Sequence, residues 1–166
     1  MTRKWLRFTS VAFATLLALL VFGWIWFSSE QTPSNTAWIA PAQGQAKIQG
    51  QRLYNMYCAS CHGVNLQGQD NWRTRMPNAR LPAPPHDATG HTWHHPDWQL
   101  IEMTQIGFVG GVNAPPGYES DMPAFEHVLS TDQIRLILGY IKTSWPDDAL
   151  AAQREISQKT NKGMAH

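Results

Sequence analysis

Cys58-Ala59-Ser60-Cys61-His62-Gly63 has the Cys-x-x-Cys-His spacing by which c-type haem is attached to a chain. Two thiols three positions apart on one helical turn can each add across a vinyl group of the same porphyrin and leave thioether bonds. The adjacent imidazole then falls beneath the ring and supplies the fifth ligand of iron. Gly63 lets the backbone turn away where a side chain would meet the macrocycle. A zinc site would need further ligands, and Cys58 and Cys61 are the only cysteines. A thioredoxin-like pair would need a preceding strand in a βαβ pattern, which the chain lacks. One covalent haem c is therefore expected at Cys58 and Cys61, with His62 on the iron.

Both cysteines are used by this motif, so none remains for a disulfide and the haem itself acts as the covalent staple of a small domain. That agrees with an oxidising, extracytoplasmic compartment. A length of 166 residues suits one domain with appendages. The net charge of +1 argues against nucleic acid as a partner. Eight tryptophans beside only 15% charged residues suggest buried rings or a cofactor to cover.

Outward from the motif towards the start, Arg3, Lys4 and Arg7 precede an apolar stretch from about Val11 to Phe27. Counted from Leu6 it is about 22 residues, or about 33 Å as a helix, enough for the hydrocarbon core of a bilayer. A signal peptide would want a shorter apolar core and a small-x-small site close behind it. Here Trp24, Trp26 and Phe27 close the segment, as an interfacial aromatic belt would, and the nearest small pair is Ala40 and Ala42 around Pro41. Residues 1–27 are thus expected to be a retained transmembrane anchor, its basic end cytoplasmic and the rest of the chain periplasmic or otherwise extracytoplasmic. Residues 28–45 are polar and contain proline without an apolar period, and read as a flexible linker of about 20–25 Å reach. Trp38 and Ile39 within it read as a partly buried pair.

Residues 46–146 carry the domain. A helix over Ala46–Tyr57 places Gly50, Leu53, Tyr54 and Tyr57 on one face and runs into the haem motif. The clearest helix follows Ser130 or Thr131 as cap; Ile134, Ile137, Leu138, Ile141 and Trp145 form its buried stripe and Pro146 stops it. A third is expected over Pro96–Ile106, with Trp98, Leu100 and Ile101 apolar and Gly107 at its end. The first and last of these would cross closely through Gly50 with Tyr140, or Tyr54 with Gly139. No segment shows strand alternation, so the domain should be all-α with long loops, which a haem gives an apolar ring to wrap. Residues 147–166 read as a polar tail with a short helical extension and then disorder.

Six methionines bear on the sixth position of iron. Met1 and Met164 are terminal, Met56 is on the proximal helix, and Met103 falls on a core face where packing is its default role. Met76 and Met122 each precede proline, which keeps the backbone extended and lets a thioether project from a loop. Met122, about sixty residues beyond His62, has chain enough to pass around a porphyrin edge and return on the far face. It is the expected axial ligand. Met76, about fourteen residues on, and the histidines are the other candidates.

LYNMYCASCHG near the start, DMPAF in the loop before the last helix and QIRLILGYIKTSW in that helix together resemble the class I c-type cytochromes over about residues 46–146. The resemblance implies a compact helical fold around one haem, thioethers at Cys58 and Cys61, axial ligation by His62 and Met122, and single-electron transfer. It implies redox proteins as donor and acceptor, for example a quinol-oxidising complex and a terminal oxidase. It also implies that a proline carbonyl fixes the proximal imidazole; Pro82, Pro84 and Pro85 in RLPAPPH all qualify.

One segment departs from that pattern. HDATGHTWHHPDW holds His86, His91, His94 and His95. His91 and His95 are spaced i, i+4, which on a helix would offer two imidazoles to one metal ion, although Gly90 and Pro96 bracket the run. The plainer expectation is that these histidines, with Trp93 and Arg80, pad the haem edge and hydrogen-bond its propionates. A copper-handling protein using residues 86–95, or a haem enzyme with an open distal site, are the alternatives to an electron carrier. Gly107, Gly110 and Gly111 are no phosphate loop, since no Gly-Lys-Ser/Thr follows. Glu119, Asp121 and Glu126 read as a solvated face around Met122.

Overall fold

The computed structural model describes residues 38–108 and 114–161. The expected anchor, the linker before Trp38, Gly110, Gly111, Met164 and His166 lie outside these residues. Among the described residues no helix is long and apolar enough to cross a membrane, and the regular elements are all helical: α1 Gly44–Tyr57, α2 Ala59–His62, a 3-10 turn Thr92–His94, α3 Asp97–Ile106, α4 Thr131–Lys142 and α5 Asp147–Asn161.

The domain is built on the crossing of α1 and α4. Helix α1 has no side-chain cap and no acidic residue in its first turn, so packing rather than local sequence holds it. Of the two crossings foreseen, the one through Gly50 is realised. A Cβ on Gly50 would overlap the Leu136 carbonyl oxygen and lie 2.9 Å from Tyr140 Cβ. Tyr54, fully buried one turn on, packs against Tyr140 with ring centroids 5.5 Å apart. Gly139 instead faces Ala40 and Ala42.

Helix α4 starts as its sequence directs. Ser130 is the cap: its Oγ accepts from Gln133 N at 3.2 Å and Gln133 Oε1 accepts from Ser130 N at 2.9 Å, a reciprocal box that satisfies two end donors. Ile134, Ile137, Leu138, Ile141 and Trp145 are all buried. Helix α3 ends at Gly107, whose φ of 72° suits glycine. Leu100 and Met103 are buried on it, whereas Trp98 is 36% exposed and donates through Nε1 to Thr160 Oγ1 of α5 at 3.0 Å.

Two expectations need correcting. The ordered domain begins before the foreseen end of the linker: Ile39 is buried and Ala42 N donates to Gly139 O at 2.9 Å. The polar segment after Pro146 is no brief extension but the 15-residue helix α5. It docks through Ala149 and Leu150 and through a set of buried polar residues. Lys142 Nζ, fully buried, donates to Ile39 O at 2.8 Å, Gln153 Oε1 at 2.8 Å and the Asp97 carboxylate. Gln153 Nε2 donates to Asp97 Oδ1 at 2.8 Å, Ile39 N to Asp97 Oδ2 at 2.6 Å, Asp97 N to Ser157 Oγ at 3.0 Å and Trp38 Nε1 to Gln153 Oε1 at 2.8 Å. Every member is hydrogen-bonded, the condition under which a buried polar network is tolerable.

Candidate haem-binding site

The end of α1 delivers the motif. Cys58 interrupts the helix for one residue, with φ −117° and ψ −35°, yet the hydrogen bonds run on: Cys58 N donates to Tyr54 O, His62 N to Cys58 O and Gly63 N to Ala59 O, at 2.8 to 2.9 Å. Cys58 and Cys61 therefore lie on one turn, Cys58 half-buried and Cys61 exposed. Burial first, and then Cys61, push the Cys58 thiol up to about 11, so it is protonated at neutral pH until it is used. Gly63 has φ 79°, which lets the chain leave the helix at once, and its carbonyl accepts from Tyr54 Oη at 2.9 Å.

His62 is buried, and its Nδ1 lies 2.8 Å from Pro84 O. The structure thus selects Pro84 from the three prolines. A carbonyl only accepts, so Nδ1 carries the proton and Nε2 presents a lone pair. Burial lowers the His62 pKa, against the opposing pull of the Pro84 bond, and this keeps the ring in the neutral form that a metal needs.

The loop bearing Met122 is fixed at its far end. Phe125 N donates to Thr104 O and Gln105 O at 3.1 and 2.9 Å, tying the loop to the carboxyl end of α3. Gly107 leaves room there for the Met122 carbonyl, which a Cβ would approach to 3.1 Å. Met122 N donates to Ser120 Oγ at 3.1 Å. Phe125 meets Tyr57 edge-on at 6.3 Å, so this loop touches the residue that precedes Cys58. Met103 packs in the core as expected; Met76 sits in a turn closed by Met76 N donating to Arg80 O at 2.8 Å.

Arg80 is not placed among the histidines. Its guanidinium pairs with Glu119 at 3.2 Å and with Asp121, so these two acids, exposed as foreseen, also form a clamp beside Met122. The four histidines also part company. His86 stacks on His62, His91 stacks on Trp72 at 5.4 Å, His94 lies over Trp93 at 3.7 Å, and His95 Nδ1 is 3.2 Å from Gln99 Oε1. The rings of His91 and His95 do approach, to 5.5 Å. The helix that would have aligned them is replaced by a 3-10 turn between Gly90 and Pro96. Among the described residues no three His, Cys, Asp or Glu side chains converge as a metal site.

Trp93 Nε1 is buried with no hydrogen-bond partner. A buried donor left so costs free energy unless something outside the chain accepts from it. Together with the neutral, correctly protonated His62 and the thiols on one turn, it fits a large acid-bearing ring ligand.

A helical domain that carries two thiols and a carbonyl-fixed imidazole on one turn, with a methionine loop pinned to the end of α3, is that of a class I c-type cytochrome. The family model for cytochrome c matches residues 48–145, and the chain belongs to that family. Its cofactor is covalently bound haem c, and the family's role is electron transfer. No curated protein and no solved structure matches the chain.

Proposed function

We propose that the protein is a membrane-anchored electron carrier whose haem is bonded to Cys58 and Cys61 and ligated by His62 and Met122. The observation that carries this reading is the 2.8 Å bond from His62 Nδ1 to Pro84 O, which places the ring proton on Nδ1 and leaves the Nε2 lone pair for a metal. When bound, haem c would supply reversible one-electron exchange at iron, and holding it by His62 and Met122 would give a higher potential than holding it by two histidines. The chain's own part is to hold both ligands still. His62 is held by Pro84, and the Met122 loop by α3 and by Arg80, so neither needs to move between oxidation states. Trp93 Nε1 is assigned to an acid group of the haem, as a donor that the protein leaves unmatched. Residues 1–27 anchor the chain, with Arg3, Lys4 and Arg7 on the cytoplasmic side, and the domain faces the periplasm or cell exterior. Its partners are redox proteins of the kind that oxidise quinol and that reduce a terminal acceptor.

The test is the near-infrared absorption of the ferric protein, wild type beside Met122→Ala. A weak sulfur-to-iron band present in the wild type and absent in the variant is expected. A wild type without the band would refute Met122 as ligand and reopen the distal site.

A further inference from the structure

His86 opens the histidine-rich segment but does not share the surface role of its neighbours. Its ring lies on the ring of His62, centroids 4.0 Å apart and planes 24° from parallel. Its backbone is fixed on both sides: His86 N donates to Leu66 O at 2.8 Å, and Trp145 Nε1 donates to His86 O at 2.7 Å. Tyr54 meets the ring edge-on at 6.2 Å. The ring's own rotation is set by Thr92, whose Oγ1 lies 3.0 Å from His86 Nδ1. The Thr92 hydroxyl donates to Pro85 O at 3.4 Å. Thr92 thereby links the His86 ring to the backbone of the segment that carries it.

Pro84, Pro85 and His86 are consecutive. The segment that grips His62 at its edge also lays a flat ring against its face. The edge contact alone permits a swing about the His62 Cβ–Cγ bond, because a hydrogen bond weakens steeply only when the donor angle falls towards about 120°. A stacked ring resists that swing through close packing over the whole face.

We propose that His86 is a positioning residue for the axial imidazole: by stacking on His62 it fixes the plane in which that ring meets the haem. The proposal rests on ligation of iron by His62. The plane matters electronically, because in the ferric state it selects which iron d orbital holds the unpaired electron. That choice is read directly in the proton shifts of the porphyrin ring methyls and in the low-temperature electron paramagnetic resonance spectrum.

The experiment compares the ferric holoprotein with His86→Leu and His86→Phe. Leucine keeps apolar bulk and loses the flat face; phenylalanine keeps the face and loses the Thr92 bond. His86→Leu is expected to change the order of the ring-methyl shifts and broaden the low-field resonance line, while His86→Phe keeps the wild-type order. An unchanged order in His86→Leu, or a Phe variant that departs as far as the Leu variant, overturns the proposal. Should His86→Leu fail to take up haem, His86→Met carries the same test: it fills the space without a flat face, and an unchanged order there counts equally against the proposal. A wild type lacking hyperfine-shifted protons from the His62 ring would instead overturn ligation by His62, and the proposal with it.

Discussion

A single methyl group at Gly50 is enough to test how the domain is built. The backbone of α1 passes so close to Leu136 and Tyr140 of α4 that no side chain fits. Gly50→Ala would favour the isolated helix, yet it must push two packed backbones apart. We expect a net loss of about 1–3 kcal/mol, the usual cost of overpacking a tight site, measured by urea unfolding of the holoprotein. An unchanged midpoint would mean that the helices cross elsewhere. The sequence marked this position because glycine at a helix face has few other reasons to be there. It could not choose among Pro82, Pro84 and Pro85, which stand within four residues of one another. Only the fold of the loop after Gly63, where Gly68 N donates to His62 O at 2.8 Å, sets which carbonyl reaches the imidazole.

At the scale of elements, the loops rather than the helices escaped sequence reading. Helices α1, α3 and α4 announce themselves through apolar period, a cap or a terminal glycine, all local signals. The loop from Gln69 to Arg80 and the loop from Tyr118 to Met122 show no period, and their partnership depends on charges about forty positions apart. Arg80 binds Glu119 and Asp121, and the Arg75 guanidinium lies over the Tyr118 ring at 5.8 Å. One loop therefore acts as a strut for the other. These ion pairs are exposed, so salt screens them. In Arg80→Gln the near-infrared band is expected to disappear at a lower alkaline pH than in wild type when salt is low. The gap should narrow in high salt. Titrating the band in both proteins at two salt concentrations checks this, and coincident curves at low salt would remove the clamp from the account. The histidine segment escaped for the same reason: His86 and His91 differ in role only because of what folds against them.

For the molecule as a whole, the polar knot of Asp97, Lys142 and Gln153 joins α3, α4, α5 and the segment entering the domain at Trp38 and Ile39. Hydrophobic patterning could not reveal it, since the residues of α5 that are fully buried are the polar Gln153 and Ser157. Its consequence is a pH dependence of known sign. Burial pushes the Lys142 ammonium down to about 8 from its ordinary 10.5, against the pull of Asp97. Below pH about 8 the folded and unfolded chains both hold this proton. Between about 8 and 10.5 the folded chain releases it while the unfolded chain keeps it, so this group makes stability rise with pH across that window. Lys142→Met should abolish the rise. It should also cost about 3–5 kcal/mol near neutral pH, because the Asp97 carboxylate is left buried without its cation. Urea unfolding near pH 7 and about pH 9.5 separates the two effects, with the variant supplying the background slope from every other group. Equal slopes in the two proteins would mean that three acceptors hold the Lys142 proton through the window, and that the knot stays ionised wherever the domain is folded.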